Sequence, residues 1–445
     1  MTEYLIFFSI PGLRPADITQ AATPTLYGWA NKGAMAELLP TFPAVTSCVQ
    51  ASMLTASPPS AHGVIANGFY HRDRRAVEFW VGHNGVMAGR QTWDVVRARR
   101  PEFTAAVWHA QNIKGAGADV IVTPSPIHEP DGATKLWCYS KPDGLYQQLI
   151  DALGHFPLQH YWGPLANIES TRWILNAALW LIRKHPPNYH WIYIPHLDYA
   201  SQKFGPNSSQ ARIALTELDQ VLSEFAAGVA ATTIGGDAVH LVAGEYALVP
   251  VSSAVYPNRL LREAGLLSVR QEQGAELIDF SASAAIAMVD HQFAHVFVNP
   301  EASNALQEIA AVLTAADGVA SVWVGSRRAD VGLDHPRSGD LVILANDDRW
   351  FAYYWWLDDA AAPAFATTVD IHRKPGYDPV ELFFDPHTRG IPLNAELVKG
   401  SHGLPATGKR DHTALICSAL SSAVVTGRTY RDTDVQRISL ESLGL

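Results

Sequence analysis

Helical and strand patterns alternate along the chain. Residues 4–10 (YLIFFSI) are apolar at almost every position, which predicts a strand covered on both faces. The run ends in a Pro-Gly turn at Pro11. Residues 23–33 (TPTLYGWANKG) predict a helix with Thr23 as N-cap, Pro24 in the first turn and Gly33 past the end. Residues 45–56 (VTSCVQASMLTA) predict a second helix. The amphipathic stretch 170–185 leads into the strand 190–195 (HWIYIP), and the long helix 209–230 leads into the strand 238–244 (AVHLVAG).

This order predicts an α/β fold with a mostly parallel, doubly wound sheet. Residues 1–70, 165–285 and 365–445 are expected to form its core. The irregular stretch 70–165, rich in Pro, Gly and aromatics, is expected to be an inserted lid. Residues 285–365 are expected to be a small α/β insert. Within it, 350–356 (WFAYYWW) suggests an aromatic wall, and the polar, Pro-punctuated 370–386 suggests either a site wall or a structural loop.

The 445 residues are 48% hydrophobic and 17% charged, which marks a globular chain rather than a disordered one. Net charge is −10 with no basic stretch, which argues against a nucleic-acid polymer or an anionic membrane surface as partner. Cys48, Cys138 and Cys417 are far apart and lack metal-like spacing, so reduced thiols and a cytoplasmic location are expected. No signal peptide and no membrane span are expected.

Four positions carry candidate chemistry. Thr46 starts a helix, where the dipole favours an anion and a hydroxyl could attack phosphorus; a plain N-cap Thr is the far commoner case. Asp198 follows the strand 190–195, at the edge where open α/β sheets bind ligands, and could equally be a turn residue. Glu245 repeats that layout after 238–244. His402 lies between glycines in VKGSHGLP. Two carboxylates and a His suit a divalent metal, though the spacing is too long-range to be specific. His291 and His295 are four apart in a strand-like segment and need not share a face.

In their order, SIPGLRPADI, TPTLYGWANKGA, FPAVTSCVQASMLTASPPSAHGVIANGFY, YIPHLDYASQKFGP, VHLVAGEYALVPV and GSHGLP resemble the alkaline phosphatase superfamily, in particular its type I phosphodiesterase/nucleotide pyrophosphatase branch. The resemblance implies an alkaline phosphatase-like core, a Thr nucleophile at Thr46 and a phosphate contact from Asn67. It implies metal ligation at Asp198 and His402. Three departures stand out: Pro11 replaces the Asp that ends the first strand, Gln202 replaces a His, and Glu245 and Tyr246 replace an Asp–His pair. The chain looks most like a bacterial subgroup with these same replacements.

Carried over, the resemblance implies a phosphoester or phosphodiester hydrolase acting on a small-molecule phosphoester. Thr46 and Asn67 would be catalytic, with Asn67 and Tyr246 contacting substrate. One divalent ion, zinc or another first-row metal, would be held by Asp198, Gln202, Glu245 and His402. A homodimer is compatible with this reading. The rival reading is a catalytically degenerate relative that binds an anion or metabolite.

Overall fold

The computed structural model describes residues 2–128 and 134–445. Nine strands form the central sheet, in the order Thr429–Arg431, Ala34–Leu39, Thr413–Cys417, Ala238–Gly244, Tyr4–Ile10, Tyr189–Tyr193, Ala105–Trp108, Val120–Pro124 and Cys138–Lys141. The middle is parallel: Tyr4–Ile10 lies between Ala238–Gly244 and Tyr189–Tyr193, with Ile10 level with Gly244 and Ser9 level with Tyr193. Thr413–Cys417 and Cys138–Lys141 run antiparallel to their neighbours.

Side chains alternate across a strand, so the apolar run 4–10 feeds two cores. Leu5 and Phe7 pack on one face with Val49 and Ile438, from the helices Thr46–Thr55 and Val435–Ser442. Ile6, Phe8 and Ile10 pack on the other with Leu26, Ile174 and Leu218. These come from the helices Pro24–Lys32, Ile168–Lys184 and Ser209–Ala230. The Pro24 helix begins where expected, but Thr23 makes no side-chain cap. Asp219, on the neighbouring helix, caps it by accepting from Thr25 N and Leu26 N.

One other segment differs from its sequence pattern. The stretch 70–165 was expected to be a lid, yet residues within it supply the strands Ala105–Trp108, Val120–Pro124 and Cys138–Lys141 at one edge of the main sheet. Those strands are only four or five residues long between Pro/Gly-rich turns, which hid their periodicity. Residues 129–133 of that stretch lie outside the described residues. Residues 350–356, which the sequence left open as a pocket wall or as core, are all buried at 2% exposure or less and fill the interior. Residues 285–345 build a four-stranded antiparallel sheet with the helix Leu306–Thr314, and the tight turn between Ala285–Asp290 and Phe293–Val298 points back into the main domain. Among the described residues, no helix is long and apolar enough to cross a membrane.

Candidate active site

Three adjacent parallel strands end together, and their tips make the floor of the site. After Ile10 the chain turns at Pro11–Gly12, and after Gly244 it turns at Glu245–Tyr246. The two turns are tied by Gly12 N to Tyr246 O at 2.9 Å and Glu245 N to Ile10 O at 3.2 Å. Gly12 takes a φ of +77°, a left-handed conformation that favours glycine. The Pro11 tip thus brings no donor of its own and instead fixes the backbone of Glu245 and Tyr246. After Tyr193 the chain enters the helix His196–Phe204, which carries Asp198 in its first turn. Gln202 lies one turn later on the same face.

Thr46 is the first residue of the helix Thr46–Thr55 and is 3% exposed. Its Oγ1 lies 3.0 Å from the Tyr246 hydroxyl, which donates to Asp198 Oδ2 at 2.7 Å. A phenol has one proton to give. With that proton on Asp198, the Thr46 hydroxyl is the donor to Tyr246. One turn along the same helix, Gln50 Nε2 donates to Glu245 Oε1 at 2.7 Å, and Ser9 Oγ donates to the same oxygen at 2.6 Å. Asn67 Oδ1 accepts from Ser47 N at 3.0 Å, which sets Asn67 beside the helix N-terminus.

A column of rings closes the site. Tyr246 stacks on His402 at 3.6 Å between centroids, His402 meets His291 at 3.6 Å, and His291 stacks on Tyr377 at 3.7 Å. His402 Nδ1 donates to Ala44 O at 2.8 Å, leaving Nε2 unprotonated. The Tyr377 hydroxyl donates to Gln202 Oε1 at 2.8 Å. His291 Nδ1 meets Asp290 Oδ1 at 2.6 Å, and Asp290 also accepts from Asn67 N and Asn67 Nδ2.

All seven residues singled out in the sequence, Thr46, Asn67, Asp198, Gln202, Glu245, Tyr246 and His402, therefore converge at one end of the sheet. Four neighbours were missed: Ser9, Gln50, Asp290 and Tyr377; His291 had been noted only for its spacing from His295. Gln50 sits at the i+4 position from Thr46, a spacing that places both on one helix face. Tyr377 comes from the ambiguous loop 370–386. The contribution of Asp290 follows from tertiary placement of the inserted hairpin and had no local signal.

Burial dominates the electrostatics. It pushes the Glu245 carboxyl up to about 8, against the pull of Ser9 and Gln50. Asp198 is pushed to about 7 and Asp290 to about 6 for the same reason. The imidazoles of His402 and His291 are driven well below their usual range, also by burial, and are neutral. Among the described residues, no Lys or Arg side chain is hydrogen-bonded to any of the seven.

The resemblance implied bound metal, and the donor set can be tested for it. Pro11 offers nothing. The Tyr246 hydroxyl holds the space between Thr46 and Asp198 that a bridging ion would need. Gln202 has its oxygen engaged by Tyr377, which leaves its amide nitrogen unpartnered; an amide N–H is a donor and cannot ligate a cation. Asp198 Oδ1, Glu245 Oε2 and His402 Nε2 are buried without partners. Even so, among the described residues no three His, Cys, Asp or Glu side chains come together closely enough to hold an ion. The side chains as arranged do not fit a metal centre.

A family model described as type I phosphodiesterase/nucleotide pyrophosphatase matches residues 5–378. No curated protein matches the chain. Among solved structures, the chain is similar to murine ectonucleotide pyrophosphatase/phosphodiesterase 5, at 12% identity and a TM-score of 0.62, over 99% of this chain and 95% of that one. At that identity the likeness shows the fold, a mixed α/β architecture around a large central sheet.

Proposed function

Because the chain belongs to the type I phosphodiesterase/nucleotide pyrophosphatase family, whose members typically depend on divalent metal, we propose that it hydrolyses a phosphoester or phosphodiester of a small metabolite with Thr46 as nucleophile. The observation that carries this reading is the placement of Thr46. Its hydroxyl heads a buried helix, where the dipole favours a phosphate group. It donates a hydrogen bond to a phenol that leads on to a carboxylate.

In this reading Thr46 Oγ1 attacks phosphorus, a Thr–O–P bond forms and the ester P–O bond breaks. Water then hydrolyses the phosphothreonine. Asn67 has one amide hydrogen engaged by Asp290 and a second to give to a phosphate oxygen. Metal-bound relatives of such a site would gain Lewis-acid stabilisation of the phosphate oxygens. Here the chain itself supplies the helix N-terminus, the Asn67 amide and carboxyls that burial keeps partly protonated near neutrality. The site residues are buried, so a substrate requires the tips carrying His291 and Tyr377 to withdraw from His402 and Gln202.

A second reading, an anion- or metabolite-binding relative without turnover, is favoured by the internal satisfaction of Thr46 Oγ1, Asn67 Oδ1 and Gln202 Oε1. A panel of aryl phosphomonoesters and phosphodiesters separates the two. Turnover that vanishes in Thr46→Ala supports the hydrolase. A protein inert to the whole panel, yet stabilised against heat by phosphate or vanadate, supports the binding role, since only a ligand that prefers the native state raises stability.

A further inference from the structure

Building on the hydrolase reading, we propose that Tyr246 is a catalytic residue standing in for a metal ion. Its hydroxyl takes the proton of Thr46 and hands its own to Asp198. The relay is laid out in distances: 3.0 Å from Thr46 Oγ1 to the phenol oxygen and 2.7 Å from the phenol oxygen to Asp198 Oδ2. Both fall within proton-transfer reach. The phenol is held on three sides. Its backbone carbonyl accepts from Gly12, its ring lies on His402 with planes 8° apart, and it is 1% exposed. A ring so confined cannot swing out to make room for an ion between Thr46 and Asp198.

The step balances. Thr46 Oγ1 forms its bond to phosphorus as its proton moves to the Tyr246 oxygen, and the Tyr246 proton moves to Asp198 Oδ2. The phenol stays neutral throughout. The leaving alkoxide is protonated from solvent, to which Asp198 returns its proton. In the second half, water gives hydroxide to phosphorus. Its remaining proton returns through Asp198 and Tyr246 to Thr46 Oγ1.

The surroundings suit a phenol better than a cation. Glu245, the next residue, has Oε1 saturated by Ser9 and Gln50 and Oε2 unpartnered. With Oε1 so engaged, Glu245 has only one oxygen left to offer a cation.

The test uses the full-length protein stripped with chelator. Zinc and manganese are titrated by calorimetry into the wild type, Tyr246→Phe and Tyr246→His. Turnover of an aryl phosphodiester is measured with and without chelator, and folding is checked by thermal melting. The wild type is expected to bind no ion tightly and to keep its kcat in chelator. Tyr246→Phe is expected to lose on the order of 100-fold or more in kcat with little change in KM, the size expected when a positioned acid–base group is removed. Two ions per wild-type chain, chelator inactivation reversed by zinc, or an unimpaired Tyr246→Phe would each overturn the proposal. If wild type and Thr46→Ala are equally inert, the hydrolase reading fails, and the ion stoichiometry alone still decides whether Tyr246 occupies a metal position.

Discussion

The ring of His291 lies 3.6 Å from that of His402, centroid to centroid, joining the tip of an inserted hairpin to a loop more than a hundred residues further on. His291 takes a φ of +63°, a left-handed conformation that costs a non-glycine residue energy and is kept where the surroundings hold it. Here Asp290 holds Nδ1, while Tyr377 and His402 sandwich the ring. The insert is therefore part of the site and not an appendage. His291→Ala is expected to open the column, raising the rate at which vanadate reaches Thr46 in stopped-flow binding. An unchanged association rate would mean that ligands arrive by another route.

Asn67 couples the helix N-terminus to that same hairpin. Asn67→Ala removes the acceptor for Ser47 N and one donor to the buried Asp290. Leaving such groups unpaired costs about 1–3 kcal/mol, to be read from urea unfolding. Vanadate affinity is expected to fall by roughly tenfold, the worth of one hydrogen bond to a charged group. Equal affinity in wild type and variant would remove Asn67 from the phosphate contact.

Next to Tyr377 in the chain lies a buried ionic cluster. Lys374 Nζ lies 2.8 Å from Asp378 and 2.7 Å from Glu381, with all three side chains at 2% exposure or less. Removing one partner of such a cluster strands the others. Lys374→Met is expected to cost about 3–5 kcal/mol. Replacing all three with apolar residues is expected to restore much of that loss. Lys374→Met at wild-type stability in denaturant would show that the cluster holds nothing in place.

The buried carboxyls and histidines give stability a maximum in pH. Glu245, at about 8 when folded and near 4.3 when unfolded, stabilises fully below its unfolded value, and that contribution is lost as pH rises through 8. Asp198 behaves alike up to about 7. His62, His109 and His190, pushed to about 3 by burial, act the opposite way: their contribution is complete above 6.5 and is lost as pH falls. The melting temperature is expected to rise from pH 4 to about 6.5, then decline toward pH 8.5. Glu245→Gln should flatten the alkaline decline. A variant with the wild-type slope there would place the titration elsewhere.

Asp198 sets the expected pH dependence of the rate. It faces the Tyr246 hydroxyl and Gln202, with Glu245, Tyr193, Tyr199 and Tyr377 around it. Only its ionised form can accept a proton, so kcat/KM for an aryl phosphodiester should climb through about pH 7 and then level off. Asp198→Asn should leave a flat, low profile. A wild-type rate already flat between pH 5 and 9 would dismiss Asp198 as the proton acceptor.

The core strands 4–10 and 238–244 were legible because strands buried on both faces read as largely apolar runs, and the helix 23–33 because Pro24 and Gly33 mark its ends. The convergence of Thr46, Asp198, Glu245 and His402 came from the order of motifs shared with a family. The strand-then-acid layout placed Asp198 and Glu245 at strand ends, but no local pattern joins all four, since they meet only through the sheet. The strands within 105–141 were hidden by their shortness. The ring column was hidden for another reason: His291, held by Asp290 at the tip of a bent hairpin, stacks between His402 and Tyr377, and neither the stacking nor the bend leaves a period in the sequence. Tyr246 was visible as a departure from the family pattern, but its hydrogen bonds to Thr46 and Asp198 needed coordinates.

The account rests on Thr46 becoming phosphorylated. Metal-stripped protein would be mixed with an aryl phosphomonoester, quenched in acid within one turnover, and digested for mass spectrometry. The account predicts one phosphoryl group on the peptide that spans Thr46, with the modification absent from Thr46→Ala and scarcer in Tyr246→Phe. Product release with no phosphopeptide at Thr46, or with undiminished turnover in Thr46→Ala, would contradict it.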